Sequence, residues 1–148
     1  MADSARVIEL TARLALAPHP EGGRYRETFR SAAITSIFFL LASGEISRWH
    51  RVLADEVWHF YEGDPLALWT IDPDGQTIVK TVLAADHRRV HVVPAGHWQA
   101  ARALGAYSLV GCDVAPAFEF ANFTMLADVP SDAVAWFVAA EPEAAALL

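Results

Sequence analysis

Hydrophobic positions recur with two different periods along this chain. Over residues 4–16 the period is helical: Val7, Leu10 and Leu14 fall on one side, and Glu9 and Arg13 stand four apart as a helical ion pair requires. The spacing predicts a short amphipathic helix. Two prolines and two glycines within residues 18–23 then break any regular element. From residue 24 to about 126 the period drops to two. Short β-rich runs lie at 24–29, 34–41, 46–50, 57–61, 66–71, 77–83, 90–93, 98–102 and 107–114, with turn signals between them. Asp72-Pro73-Asp74-Gly75 is the clearest of these signals, a tight reversal between two strands. Residues 133–140 read as a helix capped by Ser131 or Asp132. Pro142 interrupts it, and residues 143–148 add a last turn. Many short strands with regular turns predict an all-β sandwich or barrel, with helices at both ends. No internal repeat or linker divides the chain, so residues 1–148 read as one domain with a barrel core at about 24–126.

Composition narrows the function. Hydrophobic residues make up 54%, including five Trp and eight Phe, which fits a packed globule and argues against disorder. The net charge is −7, Lys80 is the sole lysine, and no basic cluster exists, so nucleic-acid binding is not expected. Cys112 is the only cysteine, which excludes an intramolecular disulfide and a Cys-rich zinc site. The longest strongly apolar run, residues 37–42, is far too short to span a bilayer, and charges in the first turns argue against a secretory leader. A cytoplasmic protein without membrane contact is the expectation.

The candidate chemistry sits in two segments. The first runs from Gly44 through His50 and Glu56 to Gly63, with gaps of five, five and six residues. The second contains Pro94, Gly96, His97 and Gln99. Both resemble the two motifs of the cupins, G-x5-H-x-H-x3-E-x6-G and P-x-G-x2-H. Val52 stands where the second histidine is expected, and Gln99 replaces the histidine of the second motif. More narrowly, residues 18–23, Trp49-His50-Arg51, Glu56 to Asp64, residues 93–99 and residues 114–118 resemble the fifth cupin family, small cupins of unsettled function. The resemblance implies a double-stranded β-helix jelly roll, usually a homodimer, and leaves the reaction open.

Period two puts Arg48, His50 and Val52 on one face, and Glu56, Trp58 and Phe60 on one face of the next strand. His97 and Gln99 share a face further on. In the cupin frame these faces line the barrel, so His50, Glu56 and Gln99 should meet at one solvent-connected cavity. Arg48, Trp58, Phe60 and His97 then serve as ligand-binding neighbours, with Trp58 on the wall. One reading makes His50, Glu56 and Gln99 a divalent-metal site. With two imidazoles lost, metal binding should be weak or absent. The other drops the metal and gives His50 and Glu56 proton transfer, with one of Tyr25, Tyr61 and Tyr107 as acid. The expected ligand is a small polar or sugar-like metabolite, and the activity isomerase- or epimerase-like. A binding protein without catalysis, or a weak metal-dependent enzyme, is the rival reading. Glu21 or Glu27 should rim the pocket, His59 and His91 should face away from it, and Cys112 should be a buried inert thiol.

Overall fold

A computed structural model describes residues 3–75, 77–130 and 132–148. Helix α1 (Ala5–Arg13) is capped by Ser4, whose hydroxyl accepts from the Val7 N–H. Eleven strands follow before the C-terminal helices: β1 (Ala17–Pro18), β2 (Arg24–Arg30), β3 (Thr35–Ala42), β4 (Ile46–Val52), β5 (Asp55–Gly63), β6 (Leu66–Ile71), β7 (Ile78–Leu83), β8 (Val90–Val93), β9 (Trp98–Ala103), β10 (Tyr107–Ala115) and β11 (Phe123–Met125). The chain closes with α2 (Ala133–Ala140) and α3 (Pro142–Ala145). Among the described residues, no helix is long and apolar enough to cross a membrane.

The strands form two antiparallel sheets, ordered β1-β2-β3-β10-β5-β8 and β11-β4-β9-β6-β7. Their facing sides enclose a dry core of Phe39, Leu41, Trp58, Phe60, Leu68 and Val110. Both outer faces are also partly covered. Val7 and Leu10 of α1 pack on Leu40, Ala42 and Leu109 of the first sheet. Val134 and Val138 of α2, with Ala144 of α3 and Leu147, pack on Trp49, Trp69 and Trp98 of the second. Strands covered on two faces need apolar residues at successive positions, which is why β3 and β6 read as unbroken hydrophobic runs rather than alternating ones.

The nine expected strands are all present, and the Asp72–Gly75 reversal joins β6 to β7 as its sequence predicts. Asp132 caps α2 through its side chain, while Ser131 lies outside the described residues. The first helix stops at Arg13 rather than near residue 16: Ala15 turns the chain with a φ of 50°, and Ala17 and Pro18 pair with β2. Strands β1 and β11 are too short for any periodicity to reveal them.

Candidate functional site

Strand β5 builds the site by simple alternation. Glu56, Trp58 and Phe60 all point inward. Trp58 and Phe60 are enclosed in the dry core, whereas Glu56 opens onto a cavity of about 270 Å³. Tyr25, Glu27 and Arg30 of β2 line that cavity, as do Thr35 and Ile37 of β3 and Cys112 and Val114 of β10. His19, Phe118 and Phe120 complete the lining from the loops. Tyr25 thus is the tyrosine that faces the cavity. The Tyr107 hydroxyl donates to Glu62 at 2.8 Å, and Tyr61 packs over Gly111 and against Phe38.

Behind Glu56 lies a chain of hydrogen bonds whose direction is fixed chemically. The Trp58 indole N–H, which can only donate, donates a hydrogen bond to Gln99 Oε1 at 2.8 Å. The Gln99 amide must therefore present its NH2 group to Glu56, and Nε2 lies 2.7 Å from Glu56 Oε2. One Glu56 oxygen is thereby occupied as an acceptor. Cys112 lines the cavity beside this carboxyl group. Glu56 is 7% exposed, and burial drives its pKa up to about 7. The neighbouring Cys112 thiol is pushed well above its ordinary range by the same burial and by Glu56.

A second buried group forms around Glu21. Residues Ser47 to His50 of β4 oppose only Ala101 to Gln99 of β9, so β4 carries one extra residue as a bulge. The bulge releases two backbone N–H groups from the ladder. Arg48 N–H reaches Glu21 O at 2.8 Å, and Trp49 N–H reaches Leu147 O at 2.9 Å. It also sends Ser47 and His50 to the same carboxyl group: Ser47 Oγ donates to Glu21 Oε1 at 2.9 Å, and His50 Nε2 lies 3.1 Å from Glu21 Oε2. His50 Nδ1 is 2.7 Å from the Arg48 carbonyl and so carries a hydrogen. Burial lowers the His50 pKa and raises that of Glu21, which favours a neutral pair with the Glu21 proton directed at His50 Nε2. Phe123 of β11 stacks on His50 with ring centroids 5.4 Å apart.

Glu21 reaches this position because two glycines follow it. A Cβ on Gly22 would lie 1.9 Å from the Ile46 carbonyl oxygen, and Gly22 has φ +108°, so only glycine permits the close approach. His19 then folds back, its Nδ1 accepting from the Glu21 N–H at 3.1 Å. That leaves Nε2–H as its remaining donor, and burial keeps the ring neutral by lowering its pKa.

The structure brings together His50, Glu56 and Gln99 but not as three wall residues of one cavity. Glu56 lines it, while His50 at 2% and Gln99 at 1% exposure stand behind the lining. Trp58 is wholly buried and does not form the wall; with Phe60 it belongs to the dry core. Arg48 does not share the inner face with His50, because the bulge gives that place to Ser47 and leaves Arg48 serving the site through its backbone. His97 lies in the turn before β9, half-buried and apart from the cavity lining. Glu27 does line the cavity, but Glu21 sits beneath rather than at the rim. His59 faces the other side of the sheet, as expected, 2.9 Å from Asp113 Oδ2. Residues 18–23 were the available signal for His19 and Glu21, since a Gly pair beside a carboxylate marks a backbone approach that carries the side chain inward.

The donors present do not fit the metal site that cupins commonly hold. Gln99 turns its nitrogen, not its oxygen, towards Glu56. Val52 packs with Ala54, Val114, Phe118 and Phe123. His50 Nε2 is engaged by Glu21. No cluster of three His, Cys, Asp or Glu side chains with metal-holding geometry occurs among the described residues.

A family model described as "Cupin superfamily (DUF985)" matches residues 8–126. Similar solved structures include a protein from Shewanella oneidensis, 32% identical, with TM-score 0.77 over 88% of this chain and 90% of that one. A hypothetical protein from Leishmania major is 29% identical, with TM-score 0.77 over 87% of this chain and 92% of that one. The fold is shared more distantly with oxalate decarboxylase from Bacillus subtilis, 16% identical, with TM-score 0.65 over 83% of this chain and 33% of that one. No curated protein matches the chain.

Proposed function

We propose, for a chain that belongs to the DUF985 family of the cupin superfamily, that it binds a small molecule in the cavity beside Glu56 and moves a proton to or from it. The observation that carries this reading is Glu56 itself. It is a carboxyl group facing an open cavity, with its pKa raised to about 7, where it exchanges protons in either direction at neutral pH. Gln99 anchors Oε2, so the proton resides on Oε1.

The chemistry best suited to this arrangement is proton abstraction next to a carbonyl group. The Glu56 carboxylate takes a proton from the carbon, and the electron pair moves onto the carbonyl oxygen. His19 Nε2–H or the Tyr25 hydroxyl then stabilises that oxygen, and delivery of the proton from Glu56 to the neighbouring carbon of the enediolate completes an isomerisation. His50 and Glu21 are positioning residues here, since they are enclosed behind the lining and hold residues 19–23 and β4 together.

Deuterium wash-in tests this reading. With cyclohexanone or hydroxyacetone in D2O, the protein should accelerate exchange at the carbon next to the carbonyl above the buffer rate. The rate should climb with pH through about 7, the Glu56 value, and Glu56→Gln should abolish it. If neither ketone exchanges faster than in buffer while binding is detected, the protein is a binder without proton transfer.

We further infer self-association through the outer face of β5 and β8. Val90 and Val92 are 48% and 50% exposed on the edge strand β8, beside Tyr61 at 49%. Light scattering at micromolar concentration should give twice the 16.2 kDa chain mass, and a monomer mass would overturn this.

A further inference from the structure

We infer that the cavity takes an uncharged molecule with a compact apolar body, about the size of a six-membered ring, and oxygen functions confined to the edge that meets Glu56, His19 and Tyr25. This rests on the cavity being the ligand site, as proposed above. It excludes sugars and organic ions as the preferred class.

The size comes first. An apolar cavity of ~150 Å³ already holds benzene, and drug-sized ligands occupy ~300–1,000 Å³. At about 270 Å³ the cavity fits a ring with one or two substituents.

The sheet register sets the distribution of polarity. Val114 stands between Glu56 of β5 and Thr35 of β3, and Cys112 pairs with Ile37, which in turn pairs with Glu27 of β2. A ligand extending from Glu56 across β10 and β3 therefore crosses a strip of Val114, Cys112 and Ile37, with Thr35 the one polar side chain among them. Phe118 and Phe120 add two aromatic rings, 5.0 Å apart at their centroids. The Thr35 hydroxyl accepts from the Phe118 N–H at 3.0 Å. A sugar carries a hydroxyl on nearly every carbon, and those facing this strip would lose their water without gaining partners.

Charge points the same way. Arg30 bonds Glu27 through Nε at 3.0 Å and NH2 at 2.6 Å, and NH1 donates to the Phe118 carbonyl at 2.9 Å. The cation at the mouth is thus compensated before any ligand arrives. An anion would have to displace Glu27 and would share the cavity with Glu56. A buried ammonium ion would face an apolar strip, a neutral imidazole and, at pH 6, a Glu56 carboxyl group that mostly holds its proton because its pKa is about 7.

Four probes of one shape separate these classes: cyclohexanone, cyclohexanecarboxylate, cyclohexylamine and D-xylose, titrated at pH 6 and followed by protein amide shifts. Cyclohexanone should bind at least about tenfold more tightly than the other three, a difference of about 1.4 kcal/mol. Shifts should centre on residues 112–120. Phe120→Ala should weaken its binding several-fold, and because Phe120 is 56% exposed the fold should survive the change. The inference is overturned if any charged probe or xylose binds as tightly as cyclohexanone, or if cyclohexanone shifts only residues elsewhere. The same samples in D2O report proton exchange independently. Binding of cyclohexanone without exchange leaves the ligand class standing and removes the proton-transfer reading.

Discussion

Two ends of one barrel interior differ sharply, although β5 supplies both. At the level of Phe60 the facing sheets meet in a buried apolar core with Phe39, Leu41, Leu68 and Val110. At the level of Glu56, two residues earlier on the same face, a carboxyl group looks into a cavity and is backed by Gln99, Glu21, His50 and Ser47. Trp58 lies between them and belongs to both. Its ring is packed in the dry end, and its one polar atom donates into the wet end. The dry half supplies rigidity, and the wet half spends some of that stability on holding titratable groups out of water. An inward position on a strand is therefore not enough to make a site. Depth along the barrel decides whether the side chain packs or reacts.

Removing the shared residue should give the largest effect. Trp58→Ala should cost about 3–5 kcal/mol by leaving a large cavity, and it also orphans Gln99 Oε1. Chemical denaturation measures this, and a loss below about 1 kcal/mol would mean the dry end does not carry the barrel.

Glu56→Gln should act oppositely at alkaline pH. Glu56 holds its proton more tightly in the folded protein, with a pKa of about 7 against an ordinary 4.5. Its contribution to stability is fully present below about pH 4.5 and is lost as pH rises through about 7. Gln mimics the protonated form, so the variant should exceed the parent by about 3 kcal/mol at pH 8, with little difference at pH 4. Glu21, also raised by burial, adds a slope of the same sign that remains in the variant. His50, lowered by burial, acts in the other direction, its share fading as pH falls below its ordinary value. Parallel pH–stability curves for parent and variant would refute the assignment of the raised pKa to Glu56.

The smallest of the three effects belongs to the link between the two ends. Gln99→Leu fills similar volume but strands the Trp58 N–H and one Glu56 oxygen, so it should cost about 1–3 kcal/mol. Gln99→Glu at pH 5, where a protonated carboxyl group restores the donor, should recover most of that loss. Equal destabilisation by both substitutions would show that position 99 matters only for packing.

Much of this molecule was legible from the order of its residues. Short β-rich runs between turn signals located nine of the eleven strands, alternating where one face meets solvent and unbroken where both faces are covered. The spacing of His50, Glu56, Pro94 and Gln99 pointed to a cupin barrel, and Glu56, Trp58 and Phe60 do share an inward face. Tertiary structure alone decided which inward residues meet the cavity. The bulge in β4 moved Arg48 away and brought in Ser47, and a single extra residue reverses facing without any trace in hydrophobic pattern. Glu21 and His19 lie about thirty residues before the motif histidine, in a loop whose reach depends on how closely Gly22 approaches β4. Sequence specifies alternation within a strand, because that is set by local covalent geometry. Which groups face each other across a barrel, and which one is left touching water, follows from register, bulges and loop paths, and these are fixed only when the two sheets close on one another.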